Sequence, residues 1–121
     1  MLSVCGRGGA QPRNTGAAEY RKISAAQAHA MMAESADYIL LDVRTPDEFR
    51  EKRIEGAVLI PHNEIAARAE KELPDKSAVI LVYCRSGGRS QSAARELLRL
   101  GYVNVNDFGG ITDWPYETTD G

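Results

Sequence analysis

The stretch Tyr83–Ser90, with the sequence YCRSGGRS, places a cysteine between a predicted strand and a predicted helix. Residues 78–83, directly before the cysteine, are apolar and rich in β-branched side chains, which is typical of a buried strand in a parallel sheet. Residues 90–100 carry apolar side chains at helical spacing, and Gly101 supplies a helix stop. Cys84 is therefore predicted to lie at the carboxyl end of a buried strand, where open α/β sheets hold their reactive groups.

The rest of the chain alternates between strand and helix patterns. Four more segments have the composition of short strands: Tyr20–Ile23, Tyr38–Val43, Ala57–Ile60 and Val103–Val105. Phe108–Gly110 is interpreted as a turn, and Ile111–Trp114 as a final helical turn. This alternation predicts a single α/β domain in three layers, with helices on both faces of a mainly parallel sheet.

Capping residues mark the starts of three predicted helices. Ser24 is a suitable N-cap for the first helix, and Asn63 for the third. Thr45 is the predicted N-cap of the second helix, with Pro46 at its first position and Glu48 completing a capping box.

Composition narrows the possible functions. The 121 residues are 43% hydrophobic, enough for one core of ordinary size. Fifteen basic and seventeen acidic residues are interspersed, so there is no electrostatic reason to expect nucleic-acid binding. No apolar stretch has the length of a membrane span. Residues 1–18 are rich in glycine and polar residues and are predicted to form a flexible leader before a domain at 19–121.

The two cysteines lie in different settings, which favours a reduced thiol at Cys84 over a disulfide with Cys5. Leu2–Cys5 resembles the end of a bacterial lipoprotein signal, but the charged and apolar regions that should precede it are absent. We therefore expect a cytoplasmic protein, or an exported or lipid-anchored one if a signal has been trimmed. His29 and His62 lack metal-ligand spacing with Cys84, and no metal, nucleotide or flavin cofactor is predicted.

Cys84 is the candidate nucleophile because the residues around it favour a thiolate. A cysteine pKa falls beside cations and at helix N-termini. Arg85 and Arg89 supply positive charge, together with the helix predicted to begin near Ser90. The pair Gly87–Gly88 is predicted to let successive backbone N–H groups point at the sulfur. The alternative is an inert buried cysteine.

Asp42 ends an apolar strand and has two interpretations. It either caps a loop or braces an arginine near the active site. Arg89 is predicted to turn inward toward Asp42 and fix the shape of the loop, although a solvated surface charge is the alternative for either loop arginine. Ser86 and Ser90 are interpreted as hydrogen-bonding and capping groups.

Three stretches together resemble the single-domain rhodanese family of sulfurtransferases. They are LDVRTPDEF at 41–49, IEGAVLIP at 54–61, and YCRSGGRS at 83–90 with GGITDW at 109–114. The resemblance implies a five-stranded parallel sheet and a catalytic cysteine that carries sulfur as a persulfide. It makes Asp42, Arg44 and Ser90 supporting residues of the site.

One departure from the family pattern lies in the second stretch. Arg53 stands where a histidine is usual, and Lys52 replaces a common glycine. We expect these changes to affect local packing or surface charge rather than the chemistry.

The resemblance implies a two-step reaction at Cys84. The thiolate attacks the outer sulfur of a donor such as thiosulfate, and sulfite leaves. Cyanide, or a thiol or protein acceptor, then removes the sulfur from the persulfide. Arg85 is predicted to hold the sulfonate end of the donor, and the remaining substrate-binding residues are Ser86, Gly87, Gly88 and Arg89. The protein is expected to be a monomer.

Two alternatives stay open. The domain could be a persulfide carrier or binding module that presents sulfur to a partner protein. It could also be a phosphatase or arsenate reductase, whose loops place the arginine six positions after the cysteine. Arg89 follows Cys84 by five positions, and Ser90 occupies the sixth. The shorter loop predicts a tighter ring of amides, better matched to one sulfur atom than to phosphate.

Overall fold

The computed structural model describes residues 19–120, so the predicted leader at 1–18, including Cys5, lies outside the described residues. The strands are β1 (Arg21–Lys22), β2 (Ile39–Asp42), β3 (Val58–Leu59), β4 (Ile80–Cys84) and β5 (Val105–Gly110). The helices are α1 (Ala25–Glu34), α2 (Pro46–Glu51), α3 (Ile65–Glu72) and α4 (Gly88–Arg99), with 3-10 turns at His62–Glu64 and Ile111–Asp113.

The strands form one parallel sheet in the order β1-β5-β4-β2-β3. The predicted α/β class, the parallel sheet and the five strands are confirmed. β4 is central and buried along its whole length, which explains its continuous run of apolar residues. None of the helices within 19–120 is long and apolar enough to cross a bilayer.

Two apolar cores cover the two faces of the sheet. On one face, buried residues of α3 and α4 such as Ile65 and Leu97 belong to one cluster with Val82 and Cys84 of β4. On the other face, Ala28 of α1 belongs to a cluster with the β4 side chains that alternate with these two. The alternation of β4 side chains between the cores gives the predicted three-layer architecture.

Two of the three predicted helix caps are confirmed. Ser24 and Thr45 each form a capping box at the start of α1 and α2, and Pro46 occupies the first turn of α2. The prediction for Asn63 is wrong, because α3 follows directly from the 3-10 turn His62–Glu64 and has no side-chain cap. The preceding 3-10 turn leads the chain into the helix without a capping side chain.

A last strand is present as predicted, but its predicted bounds, Val103–Val105, and the predicted turn at Phe108–Gly110 are wrong. β5 runs from Val105 to Gly110 and lies between β1 and β4. Its polar side chains are satisfied within the sheet: Asn106 Nδ2 donates to the Ile80 carbonyl at 3.3 Å, and Asp107 accepts the Gly109 amide at 2.9 Å. Internal hydrogen bonds thus let a polar, glycine-containing segment occupy a buried strand.

Candidate active site

Cys84 is the last residue of β4 and is buried, with 1% of its surface exposed. The Gly87 amide donates a hydrogen bond to Cys84 Sγ at 2.9 Å. Gly87 has a φ of 116°, a left-handed conformation that glycine adopts without strain. The sequence predicted several successive amides at the sulfur. Within residues 19–120, the Gly87 amide is the one that lies within hydrogen-bond distance of Cys84 Sγ. α4 begins at Gly88, two residues earlier than predicted, which brings its positive end closer to the cysteine in sequence.

The end of β5 and the 3-10 turn after it contact the backbone of the cysteine loop at Arg85. A Cβ on Gly110 would lie 2.1 Å from the Arg85 carbonyl oxygen, so only glycine allows this approach of the two backbones. The same carbonyl accepts hydrogen bonds from the Thr112 amide at 3.1 Å and the Thr112 hydroxyl at 3.0 Å. Ser90 is buried and its hydroxyl donates to the Gly87 carbonyl at 3.0 Å, so it closes the loop from the helix side.

Asp42 and Arg44 form a buried ion pair beside the loop. Arg44 Nε lies 2.9 and 3.1 Å from the two Asp42 carboxylate oxygens, and Arg44 Nη2 lies 2.6 Å from one of them. Nη2 also donates to the Lys52 carbonyl, and the guanidinium carbon lies 5.5 Å from the centre of the Tyr83 ring. Burial acts to lower the pKa of Arg44, but the hydrogen bonds and charge of Asp42 raise it above its ordinary value. Asp42 therefore braces an arginine, as one of its two interpretations predicted.

The arginine that Asp42 braces is not Arg89, so that prediction is wrong. Arg89 instead pairs with Glu48, its Nη1 and Nη2 donating to the two carboxylate oxygens at 2.8 and 3.0 Å. These bonds lower the pKa of Glu48 from its ordinary 4.5 to about 2 and raise the pKa of Arg89. The Asp42 carboxylate already accepts hydrogen bonds from Arg44, two residues away, so Glu48 is the acidic residue that binds Arg89 of the loop.

Glu48 is the site residue that sequence reasoning missed. Its position in the capping box with Thr45 gave it a sufficient local role. The structure shows both roles at once, because Glu48 Oε1 accepts hydrogen bonds from the Thr45 amide at 2.9 Å and from Arg89. The sequence feature that could have indicated a site role for Glu48 is its place in the same short stretch as Asp42 and Arg44.

A cavity of about 230 Å³ adjoins the loop. Its lining residues are Arg44, Glu48, Glu51, Lys52, Arg85, Ile111 and Thr112. Of the predicted loop residues, Arg85, Ser86 and Gly88 are exposed, while Gly87 and Arg89 are half-buried. The Ser86 side chain makes no hydrogen bond to residues 19–120, so its predicted role is not seen. Within this part of the chain, no group of three His, Cys, Asp or Glu residues is arranged to hold a metal ion.

Comparisons with known proteins agree with this fold. The Rhodanese-like domain family matches residues 24–116. Thiosulfate sulfurtransferase PspE of Escherichia coli is 36% identical over 73 residues, covering 60% of this chain and 70% of PspE. Thiosulfate sulfurtransferase GlpE of Pseudomonas entomophila is 35% identical over 108 residues, covering 85% of this chain and 95% of GlpE.

A solved structure gives the same result. An Escherichia coli rhodanese described with anions has a TM-score of 0.65 and 32% identity, covering 69% of this chain and 99% of that one. The chain belongs to the rhodanese-like domain family. The predicted resemblance is confirmed, and its relatives support sulfurtransferase activity in general.

Proposed function

We propose that this protein is a sulfurtransferase that moves a sulfane sulfur from thiosulfate, or another persulfide donor, to an acceptor through a persulfide on Cys84. The observation that carries the proposal is the Gly87 amide donating to Cys84 Sγ at 2.9 Å, at the positive end of α4. An amide and a helix N-terminus stabilise a sulfur anion without a histidine base. The thiosulfate sulfurtransferases among its relatives support this chemistry.

In the first step, the Cys84 thiolate attacks the outer sulfur of thiosulfate. A new S–S bond forms, the S–S bond of thiosulfate breaks, and sulfite leaves with the bonding electron pair. The total charge of −3 is conserved, because a thiolate and a dianion give a persulfide anion and a sulfite dianion. The anion that begins on Sγ ends on the outer sulfur, one bond away, so the Gly87 amide and the positive end of α4 remain close to it.

In the second step, a nucleophile takes the outer sulfur and restores the thiolate. With cyanide, the carbon attacks the outer sulfur of the persulfide, thiocyanate leaves, and the electron pair of the S–S bond returns to Cys84. A thiol acceptor follows the same course and becomes a persulfide. The burial of Cys84 means that the acceptor group has to be slender where it reaches the sulfur.

The two loop arginines are assigned different roles. Arg85 is exposed and lines the cavity, so we assign it to the oxyanion end of the donor. Arg89 donates from both Nη1 and Nη2 to Glu48, so we assign it to fixing the loop. Asp42 and Ser90 act indirectly, by holding Arg44 and the Gly87 carbonyl.

Thiocyanate production from thiosulfate and cyanide tests the proposal, with Cys84→Ser as the inactive variant and Cys5→Ser as the matched control. We expect turnover in the native protein and in Cys5→Ser, and none in Cys84→Ser. Mass spectrometry after thiosulfate treatment should show one added sulfur on Cys84. Sulfur on Cys5 would overturn the assignment.

The same measurements separate the alternatives. A stable Cys84 persulfide without thiocyanate turnover would identify a carrier module in place of an enzyme. Hydrolysis of p-nitrophenyl phosphate that disappears in Cys84→Ser would favour a phosphatase. The five-residue step from Cys84 to Arg89 argues against that last outcome.

A further inference from the structure

A second cavity, of about 680 Å³, lies on the sheet face covered by α1 and shares no lining residue with the cysteine loop. Two of the residues that line it, Ile54 and Trp114, are only 4% and 8% exposed and belong to the apolar core of this face. Met32 of α1 adds a half-buried apolar wall. The volume lies within the range of about 300–1,000 Å³ that is usual for ligand pockets.

Three aromatic rings meet at this cavity. The rings of His29 and Tyr116 are stacked, with centroids 3.8 Å apart and planes at 8°. Trp114 meets Tyr116 edge-on at 4.9 Å, and its Nε1 atom donates to the Glu117 carbonyl at 3.2 Å. Because the indole N–H already has its partner, these residues offer a ligand their π surfaces. Such surfaces bind apolar groups and cations.

Apart from the His29 imidazole, the ionisable side chains that line the cavity are acidic. Glu55 and Glu117 are exposed, and neither forms an ion pair with a residue in 19–120. Among these residues, no lysine or arginine lines the cavity. Arg53, the basic residue nearest to Glu55 in sequence, places its guanidinium carbon 4.7 Å from the centre of the Phe49 ring. The uncompensated charge at this cavity is therefore negative.

We propose that this cavity is a docking site for an arginine side chain of a partner protein, together with an apolar residue beside it. The methylene stem of the arginine packs on Trp114 and Met32, and its planar guanidinium lies against the aromatic rings. Glu55 and Glu117 supply the opposite charge. An apolar centre with a polar rim is usual in protein interfaces, where arginine is among the residues that contribute most to binding.

The docking site is close in sequence to the residues that support the cysteine loop. Trp114 follows Thr112 by two residues, and Thr112 donates two hydrogen bonds to the Arg85 carbonyl. A partner held at Trp114 therefore contacts the segment that supports the loop. Docking itself requires no sulfur transfer, so it can be measured independently of the activity.

The fluorescence of Trp114 reports on this cavity directly, because it is the single tryptophan of the 121 residues. The probe is the peptide acetyl-Leu-Arg-amide, titrated into the full-length protein, with calorimetry as the second measurement. Its control is acetyl-Leu-citrulline-amide, which keeps the shape of the side chain and removes its charge. We expect the citrulline peptide to bind about tenfold more weakly. Equal affinities, or no heat and no fluorescence change at millimolar peptide, would overturn the site.

Substitutions at the rim identify where the peptide binds. Glu55→Gln and Glu117→Gln should each weaken binding of the arginine peptide about two- to fivefold, as expected for one exposed ion pair. Neither should change the binding of the citrulline peptide. Glu34→Gln removes an equal charge from α1 outside the cavity and should have no effect. Equal effects of all three variants would show that net charge alone matters and would refute the assignment.

A larger side chain on α1 should block the cavity. Ala33 is exposed and lines it, so Ala33→Arg places a guanidinium of the chain itself at the entrance. Ala30→Arg puts the same side chain about one turn earlier, at an exposed position outside the lining. Ala33→Arg should remove detectable peptide binding and Ala30→Arg should preserve it. Undiminished binding in Ala33→Arg would contradict the site.

Thiocyanate production separates this site from the proposed sulfur transfer. The assay uses only small molecules, so its rate should be the same in native protein, Ala33→Arg and Ala30→Arg. Absence of turnover in the native protein would overturn the proposed function, whereas the peptide titrations decide the docking site.

Two other occupants are distinguishable by the same titrations. Ethylguanidinium carries the cation without a peptide and should bind more weakly than the arginine peptide. Equal affinities would identify a site for a small organic cation and overturn the partner assignment. A change of Trp114 fluorescence with protein concentration, in the absence of peptide, would identify a second copy of this chain as the occupant and would also overturn it.

Discussion

Glu48 and Arg89 lie 41 residues apart in the sequence and are joined by two parallel hydrogen bonds of 2.8 and 3.0 Å. The pair connects the first turn of α2 to the first turn of α4, and so fixes the helix that follows the cysteine loop. The Arg89 and Glu48 side chains are 29% and 23% exposed, so the pair is better shielded from solvent than an ordinary surface ion pair. We infer that this contact determines how rigidly the loop is held.

Replacing the carboxylate of Glu48 should loosen the loop. Glu48→Gln leaves Arg89 without its charged partner and should lower the free energy of unfolding by about 1–2 kcal/mol. Sulfur transfer should fall as well, because the loop backbone is less well fixed. Denaturant unfolding and thiocyanate production measure the two effects.

Asp47→Asn is the matched control for this variant. It removes one charge from the same helical turn, but the side chain is 82% exposed, and its effect should stay within about 0.5 kcal/mol. Equal losses of stability in the two variants would contradict a specific role for Glu48.

The same ion pair predicts an acid-dependent loss of stability. The pKa of Glu48 falls from 4.5 to about 2 on folding, so the unfolded chain binds the proton more readily than the folded one. The stabilisation is therefore complete above pH 4.5 and is lost as the pH falls from 4.5 towards 2. Unfolding curves across this range should show a steeper pH dependence for native protein than for Glu48→Gln. Parallel curves would show that Glu48 does not contribute.

Gly110 should be far less tolerant of a methyl group than Gly88. In Gly110→Ala the new Cβ would overlap the Arg85 carbonyl at 2.1 Å, so the loop or β5 has to move. Overpacking of this kind costs about 1–3 kcal/mol, and displacement of the loop should also reduce sulfur transfer.

Gly88→Ala is the control for the clash. No atom lies within 4 Å of a Cβ at Gly88, and this residue begins α4. The variant should be neutral or stabilised by up to about 1 kcal/mol, because alanine is the better helix former. Denaturant unfolding with the thiocyanate assay compares the two, and equal loss in both variants would argue against the backbone contact.

Removal of Asp42 should be strongly destabilising. Asp42→Ala leaves the buried Arg44 guanidinium without its counter-charge, which costs about 3–5 kcal/mol in such pairs. The double variant Asp42→Leu/Arg44→Met removes both charges and should recover much of that loss in urea unfolding. A double variant no more stable than Asp42→Ala would show that packing, rather than the stranded charge, causes the effect.

Much of the fold could be predicted because local signals agreed with one another. The apolar run of β4 and the capping box of Thr45 and Glu48 both placed element boundaries within one or two residues. The extent of β5 was missed because asparagine and glycine, here Asn106 and Gly109, are unfavourable in strands. The Asn106 side-chain amide donates to a carbonyl of the neighbouring strand β4. Both neighbours of β5, which are β1 and β4, come from distant parts of the sequence.

The sequence predicted which residues lie near the cysteine loop better than it predicted which of them contact one another. The position of Cys84 at the end of a strand, and of the Gly87 amide at its sulfur, could be predicted from the local pattern of an apolar run followed by two glycines. The partner of Arg89 could not be predicted in this way, because Asp42 and Glu48 are both acidic residues of the stretch 41–49. The choice was decided by Arg44, whose buried side chain takes up Asp42. Competition between neighbouring arginines for one carboxylate depends on geometry that spacing does not encode.

The contact between Arg85 and Thr112 also has a consequence for the order of events during synthesis. The cysteine leaves the ribosome before Thr112 and the last strand, which supply the groups that close the loop from behind. Until then the thiol belongs to an incomplete sheet and lacks its finished surroundings. We therefore expect the loop of a nascent chain to reach its folded form only after Thr112 has emerged, and the Cys84 thiol to stay accessible to solvent until then.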